Sequence, residues 1–130
     1  MTQRIHHINF LVRDLEKAID AWQTVLGRAP DSRDHLEARG VAIARYRLGD
    51  TWLVLVQPVR DGTEPARHLA EHGEGFFLIS LAVDDLAADA ERLGEGLFSG
   101  PARDGLDDWR IRDLDPAAFA GVQVQLCEAD

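Results

Sequence analysis

The chain has 130 residues, a formal net charge of −9, 45% hydrophobic residues and a single cysteine. The acidic balance argues against nucleic-acid binding and against docking on an anionic membrane, because both need an excess of Lys and Arg. One cysteine excludes an internal disulfide, and no apolar run approaches the roughly 18 residues of a membrane span. Because no basic and apolar signal segment opens the sequence, it predicts one cytoplasmic domain over residues 1–130.

The first half of the chain has the pattern of a strand, a helix, two more strands and a second helix. These patterns cover, in order, residues 5–12, 15–26, 41–48, 52–56 and 64–72. Asp14 offers an N-cap oxygen to the first helix, and Gly27 is placed to end it. Gly49-Asp50 predicts a tight turn that makes a hairpin of the two later strands.

The second half repeats this plan. Its strand and helix patterns cover residues 76–83, 86–93, 109–112 and 122–127, with Asp84 or Asp85 as N-cap. One offset of 71 residues (85 − 14) maps Asp14 onto Asp85, His7 onto Leu78 and Val54 onto Gln125. Any two αβ segments share some likeness, but a single offset that aligns a helix start and two strands favours a duplicated unit.

Four segments carry a family likeness: HHINFLVRDLEKAIDAWQTVLG, RGVAIARYRLGDTWLVLVQP, ARHLAEHGEGFFLISLAVDDL and GVQVQLCE. Together they resemble the vicinal-oxygen-chelate superfamily (glyoxalases, bleomycin-resistance proteins and dioxygenases), and within it the methylmalonyl-CoA epimerases. The resemblance implies an α+β, glyoxalase-like fold, in which two βαβββ modules form a curled mixed sheet around a cleft. The modules would span about 3–60 and 75–128, joined by a helix over 63–72, and the family habit predicts a homodimer.

The resemblance also implies where a metal would be held. Family members bind a divalent ion through four inward side chains, and the matching positions are His7, Val54, Leu78 and Gln125. Val54 and Leu78 have no lone pair to offer, which leaves one imidazole and one neutral amide. We therefore expect no cofactor and no divalent metal in this chain.

The phase of these four positions predicts which side chains face the cleft, because side chains alternate along a strand. A ligand would be bound by a mainly apolar and aromatic set: Trp52, Val54, Phe76, Leu78, Ser80 and Gln123, with Trp109 near the mouth. His6 has the opposite phase and is expected to pack under the helix, and Cys127 is expected to be a small buried filler. His68 and His72, four residues apart on the short helix, are expected to face solvent.

Arg45 and Arg47 share one face of the 41–48 strand, while Tyr46 lies on the other. If the arginine face lines the cleft, the two guanidinium groups could clamp a carboxylate or a phosphate. Solvated strand charges are the alternative, and the sequence does not decide between the two faces.

His7 is the only group of the predicted cleft with a pKa near neutrality, so we hypothesise a general acid/base role for it. Gln125 and Asn9 would hydrogen-bond a developing oxyanion, although a satisfied core histidine explains His7 equally well. This favours a metal-independent isomerase, lyase or cyclase acting on a small apolar or aromatic molecule. One alternative is a non-catalytic small-molecule binding protein of the antibiotic-resistance type. A second alternative is a metal-dependent methylmalonyl-CoA epimerase or glyoxalase-like enzyme.

Overall fold

The computed structural model describes residues 4–129. The strands are β1 (Arg4–Leu11), β2 (Ser32–Leu36), β3 (Val41–Leu48), β4 (Thr51–Pro58), β5 (Gly75–Val83), β6 (Arg103–Asp104), β7 (Arg110–Asp113) and β8 (Val124–Glu128). The helices are α1 (Leu15–Leu26), α2 (Glu64–His72) and α3 (Leu86–Leu93), with single 3₁₀ turns at Glu95–Leu97 and Pro116–Phe119. Within residues 4–129, no helix is long and apolar enough to cross a membrane. The predicted module start at about residue 3 lies outside the described part of the chain.

The chain divides into two compact units, a first unit of residues 8–77 and a second unit of residues 4–7 and 78–129. In the first unit the strand order is β2-β3-β4-β1, and in the second it is β5-β8-β7-β6. β5 and β8 run parallel, β7 pairs antiparallel with β8, and β6 pairs antiparallel with β7. The elements follow the order βαβββ twice, so the predicted α+β class is confirmed.

Local signals at the helix ends agree with the structure. The Asp14 carboxylate accepts a hydrogen bond from the Lys17 amide at 3.1 Å, as an N-cap residue does. Asp85, rather than Asp84, caps α3 and accepts from the Ala88 amide at 3.0 Å. Gly27 ends α1 with φ +74°, a left-handed conformation that glycine adopts without a Cβ clash.

A second hydrogen bond repeats in the two halves at the same offset of 71. The Leu15 amide donates to Gln57 Oε1 at 2.8 Å, and the Leu86 amide donates to Glu128 Oε1 at 2.7 Å. The arithmetic is 15 + 71 = 86 and 57 + 71 = 128. In both halves, a side chain at the end of a strand binds an otherwise unpaired amide at the start of a helix.

The apolar cores confirm the predicted phase of the strands. In the first unit Leu15 and Ile19 of α1 pack with Leu55 of β4 and with Tyr46 of β3. In the second unit the core comprises Val83, Leu86, Leu114, Val124 and Leu126, with Ile79 and Leu81 against it. Because Tyr46 faces α1, its neighbours on β3 face the other way, and this settles which side Arg45 and Arg47 occupy.

The sequence does not predict strand β2, because its five residues, SRDHL, have no apolar alternation. Among the described strands it pairs only with β3, from Ser32 opposite Arg45 to Leu36 opposite Val41, and most of its side chains are exposed. Backbone hydrogen bonds to a neighbour, rather than side-chain burial, therefore make this segment a strand. β8 begins at Val124, two residues later than predicted, because the Val122 amide donates to Phe119 O in a turn.

Candidate functional site: a buried histidine pair beside a cysteine

The second unit contains two adjacent buried histidines on β1. His6 and His7 are 5% and 3% exposed, and their Nδ1 atoms lie 2.8 Å apart. One of these nitrogens carries a hydrogen and donates a hydrogen bond, which the other nitrogen accepts. The prediction that His6 packs under the helix is wrong, because its ring meets the same groups as that of His7. Strand alternation alone could not anticipate that a third ring would lie beside both imidazoles.

That third ring belongs to Trp109. It stacks on His7 with centroids 4.7 Å apart and meets His6 edge-on at 4.6 Å. A turn sets its position, since the Trp109 amide donates to Leu106 O and the Gly105 amide donates to Trp109 O, each at 2.8 Å. A Cβ on Gly105 would lie 3.3 Å from Trp109 Cβ, so glycine leaves the indole room at this point. Trp109 is 7% exposed and forms a wall for the imidazoles; its predicted ligand contact stays a prediction.

Cys127 completes this cluster. Its side chain is fully buried on β8, opposite Ala82 of β5 and Ile111 of β7. One nitrogen from each histidine and the Cys127 sulfur all lie within 4.8 Å of one another. Burial, and secondarily the nearby charge of Asp108, raises the pKa of the Cys127 thiol to about 12. The sequence predicts a small buried filler at this position because it shows no basic neighbour, and burial is confirmed.

Two buried oxygens next to the cluster have no hydrogen-bond partner among residues 4–129. Gln125 and Ser80 are cross-strand partners, two residues before Cys127 and Ala82 respectively, so they share the face of Cys127. The Gln125 Nε2 donates to Asp113 Oδ1 at 3.2 Å, while Gln125 Oε1 and Ser80 Oγ stay unsatisfied. Buried polar atoms without partners are rare, and they are typical of positions where a ligand or water binds.

A pocket of about 370 Å³ opens beside the cluster within the second unit. His6 and Cys127 line it, together with the charged residues Arg4 and Asp84. The remaining lining residues are Ala82, Val83 and Ala129. The imidazole and thiol groups therefore border open space, although each is almost inaccessible as a residue.

The first unit holds the two arginines that the sequence placed on one face. The guanidinium carbons of Arg45 and Arg47 lie 4.5 Å and 5.2 Å from the centroid of Trp52, on the face away from α1. Arg45 is 5% exposed and its Nε donates to Ser32 Oγ at 2.9 Å. Its cross-strand partner is Val54, so a buried cation occupies the same face as that family ligand position. A role of these arginines in ligand binding stays a prediction.

Two other predicted residues of the first unit differ in their outcome. Asn9 has a buried Oδ1 with no hydrogen-bond partner in the described part of the chain, as a ligand-binding amide can have. Phe76 does not fit the predicted cleft face: it is 46% exposed and its ring lies edge-on to Phe10 at 6.4 Å. Phe10 belongs to the core packed on α1, so Phe76 lies toward that side instead. In the second unit, Gln123 precedes β8, and its carbonyl accepts from the Ile79 amide at 3.1 Å.

The residues at the four family metal positions do not fit a four-ligand ion site. Val54 and Leu78 are buried hydrocarbon side chains without lone pairs. Gln125 retains one unpaired oxygen, and the Nδ1 of His7 is engaged by His6. The set that remains is too small to bind an ion tightly.

Comparison with known proteins identifies the family. The model of the Glyoxalase/Bleomycin resistance protein/Dioxygenase superfamily matches residues 6–112. The chain belongs to this superfamily. The expected glyoxalase-like fold is confirmed by a hypothetical protein from Bacillus halodurans C-125, which superposes with a TM-score of 0.91 at 20% identity, over 98% of this chain and 94% of that one.

The most informative relatives in the superfamily are epimerases. The ethylmalonyl-CoA/methylmalonyl-CoA epimerase of Cereibacter sphaeroides is 31% identical over 97% of this chain and 98% of its own length. A methylmalonyl-CoA epimerase in complex with methylmalonyl-CoA and NH4+ superposes with a TM-score of 0.90 at 25% identity, over 99% of this chain and 96% of that one.

These relatives correct one expectation. The prediction of no cofactor and no divalent metal is wrong, because this superfamily member is similar over nearly its whole length to epimerases, one of which was solved in complex with methylmalonyl-CoA and the cation NH4+. The prediction rested only on the loss of side chains at Val54 and Leu78. It did not consider that His6 and Cys127 join His7 in the folded chain.

Proposed function

We propose that this superfamily member is an epimerase-type isomerase of a small acyl-CoA thioester, with methylmalonyl-CoA as the first substrate to test. The observation that carries the proposal is the 31% identity to an ethylmalonyl-CoA/methylmalonyl-CoA epimerase over nearly the full length of both chains. This favours the metal-dependent epimerase alternative over the metal-independent isomerase, lyase or cyclase that is the first interpretation of the sequence.

Epimerisation at the carbon next to a thioester carbonyl removes one proton and returns one to the opposite face. Negative charge develops on the carbonyl oxygen, and hydrogen-bond donors aimed at that oxygen lower the barrier. Ser80 has a buried, unpaired hydroxyl that can donate in this way. Gln125 keeps its predicted role as a second donor, because its amide nitrogen carries two hydrogens and Asp113 Oδ1 accepts only one of them.

His7 is the residue to which we assign contact with the reacting group or its counter-ion. Its position matches the first family ligand by the resemblance, and Trp109 and His6 hold its ring in place. A ring fixed in this manner reaches its target without reorganising during the reaction.

Deuterium uptake tests the proposal directly. Methylmalonyl-CoA is incubated with the protein in D2O, and the gain of one deuterium at C2 is followed by mass spectrometry. The assay is run with the protein as purified and after addition of Zn²⁺, Co²⁺, Mn²⁺ or Mg²⁺, so that a missing ion does not mask activity. Uptake far above the protein-free rate is expected. Tight acyl-CoA binding without uptake in any of these conditions contradicts the proposal and favours a binding protein.

Variants locate the activity. We expect His7→Ala to slow uptake by about 100-fold or more, and Ser80→Ala by about 10- to 100-fold, the range for loss of a positioned catalytic donor. His35→Ala is the matched control, since His35 is an exposed histidine on β2 and should leave the rate unchanged. If the parent protein takes up deuterium and His7→Ala does so at the same rate, the assignment of His7 is wrong.

A further inference from the structure

We infer that His6, His7 and Cys127 form a binding site for a divalent transition metal of the zinc class. This inference goes beyond the proposed function and does not depend on the substrate. It moves the ion away from the four family strand positions, of which only His7 is retained. The ligand set becomes two imidazoles and one thiolate, all contained in the second unit.

The distances suit such an ion after small side-chain adjustments. Zinc binds His nitrogen at about 2.0–2.1 Å and Cys sulfur at about 2.3 Å, so ligand atoms around one ion lie about 3–4 Å apart. The two Nδ1 atoms are 2.8 Å apart, and one ring nitrogen of each histidine and the Cys127 sulfur lie within 4.8 Å of one another. Motion of about 1 Å brings the set to ligand spacing, and the ion would replace the proton now shared by the two rings.

The chemistry of the donors selects the kind of ion. Thiolate and imidazole favour Zn²⁺ and Co²⁺, whereas Mg²⁺ and Ca²⁺ require a shell of oxygen ligands. Three protein ligands leave at least one coordination position for a substrate group or water, which is the arrangement of catalytic rather than structural zinc sites.

The surroundings provide both support and access. Trp109 stacks on one ligand ring and meets the other edge-on, so it fixes the orientation of both imidazoles. The pocket lined by His6, Cys127 and the carboxylate residue Asp84 gives an ion an entry path. The unpaired Gln125 Oε1 and Ser80 Oγ lie on the Cys127 face and offer further oxygen atoms to a ligand of the ion.

Direct metal binding tests the inference without any substrate. The chelator-treated full chain is titrated with Zn²⁺ by calorimetry and with Co²⁺ by absorption spectroscopy. We expect one ion per chain and, with Co²⁺, a thiolate-to-cobalt charge-transfer band that only a cysteine ligand produces. Absence of binding, or one bound Co²⁺ without that band, overturns the inference.

Single variants assign the ligands. Cys127→Ser should abolish the charge-transfer band, and His6→Ala should weaken Zn²⁺ binding by about 10- to 100-fold or more. His72→Ala is the matched control, because His68 and His72 pair on α2 in the first unit and are the other histidine pair that an ion could find. Circular dichroism of each variant shows whether it folds, and the Co²⁺ spectrum of Cys127→Ser is informative even at reduced stability. Unchanged affinity in His6→Ala, or loss of binding in His72→Ala, overturns the assignment.

The outcomes separate this inference from the proposed function. Metal binding with the cysteine signature but no deuterium uptake supports the site and contradicts the epimerase. Deuterium uptake without Zn²⁺ or Co²⁺ binding supports the epimerase and contradicts the site.

Discussion

At the scale of single residues, the histidines show how much the surroundings decide. His6 and His7 are neighbours on one strand, and alternation predicts opposite environments for them. Instead both rings lie against Trp109, and their Nδ1 atoms are within hydrogen-bond distance. The residue type was therefore a good guide to chemistry, whereas its position along the strand was a poor guide to its neighbours.

His68 is a second histidine that differs from expectation. It was predicted to face solvent, but its ring lies 4.9 Å from that of Phe77 and 4.5 Å from that of His72, and it is half-buried. Burial is the main cause that lowers the pKa of His68 below its ordinary value, and the charge of His72 adds to it. Glu71 and Glu64 act in the opposite direction.

This shift predicts a loss of stability in mild acid. Because the folded state holds the His68 proton less tightly than the unfolded chain, the neutral form stabilises the fold fully above the unfolded pKa of about 6.5. That contribution is lost as the pH falls through 6.5 toward the lower folded pKa. The urea midpoint should therefore fall between about pH 7.5 and pH 5.5, and His68→Gln should make this fall smaller. His35→Gln, a control at an exposed histidine, should leave this fall unchanged. An equal pH dependence of the urea midpoint in the parent protein and in His68→Gln contradicts the prediction.

At the scale of elements, the repeated link between strand end and helix start is the clearest trace of a duplicated unit. Gln57 binds the first amide of α1, and Glu128 binds the first amide of α3. The two side chains have the same reach and differ in charge, and a negative charge at a helix N-terminus is favourable. The two halves thus bind the first amide of their helix in the same way, one with a glutamine and the other with a glutamate.

Exchange of these residues tests the equivalence. Gln57→Glu should leave the free energy of unfolding unchanged or raise it by a few tenths of a kcal/mol, because the acceptor is kept and a charge is added at the helix start. Gln57→Leu should lower it by about 1 kcal/mol, the typical contribution of one such hydrogen bond. Glu128→Gln and Glu128→Leu should show the same order. Urea unfolding followed by circular dichroism measures these differences, and equal stability of the Glu and Leu variants of Gln57 would show that the link contributes nothing.

At the scale of the whole molecule, the net charge of −9 is a property that folding does not alter. Binding to nucleic acid depends on the release of counterions by Lys and Arg, and 23 acidic residues oppose 14 basic ones. Some arginines of the protein also form hydrogen bonds within it; Arg60, for example, donates to the Glu37 carbonyl at 2.9 Å.

We therefore expect no retention on a heparin column and no shift of a duplex DNA probe, even at about 50 mM salt, where electrostatic binding is strong. Retention on an anion exchanger under the same buffer is the positive control. A DNA complex that dissociates when salt is added would contradict this prediction and indicate a localised basic surface.

The sequence by itself determined the features that arise from short segments. Caps at Asp14 and Gly27, the two-residue turn at Gly49-Asp50 and the apolar faces of the helices depend on neighbours a few residues away, and the structure confirms each of them. The family likeness and the phase of the strands depend on similar local patterns.

Only the tertiary structure decided the features that depend on distant residues. Strand β2 exists because β3 provides backbone partners, and Arg45 is directed away from α1 because Tyr46 packs on the helix. The cluster of His6, His7 and Cys127 joins positions 120 residues apart (127 − 7), with Trp109 as the shared wall. A pattern within a short segment cannot predict this contact, because strand pairing and register determine which distant residues lie together.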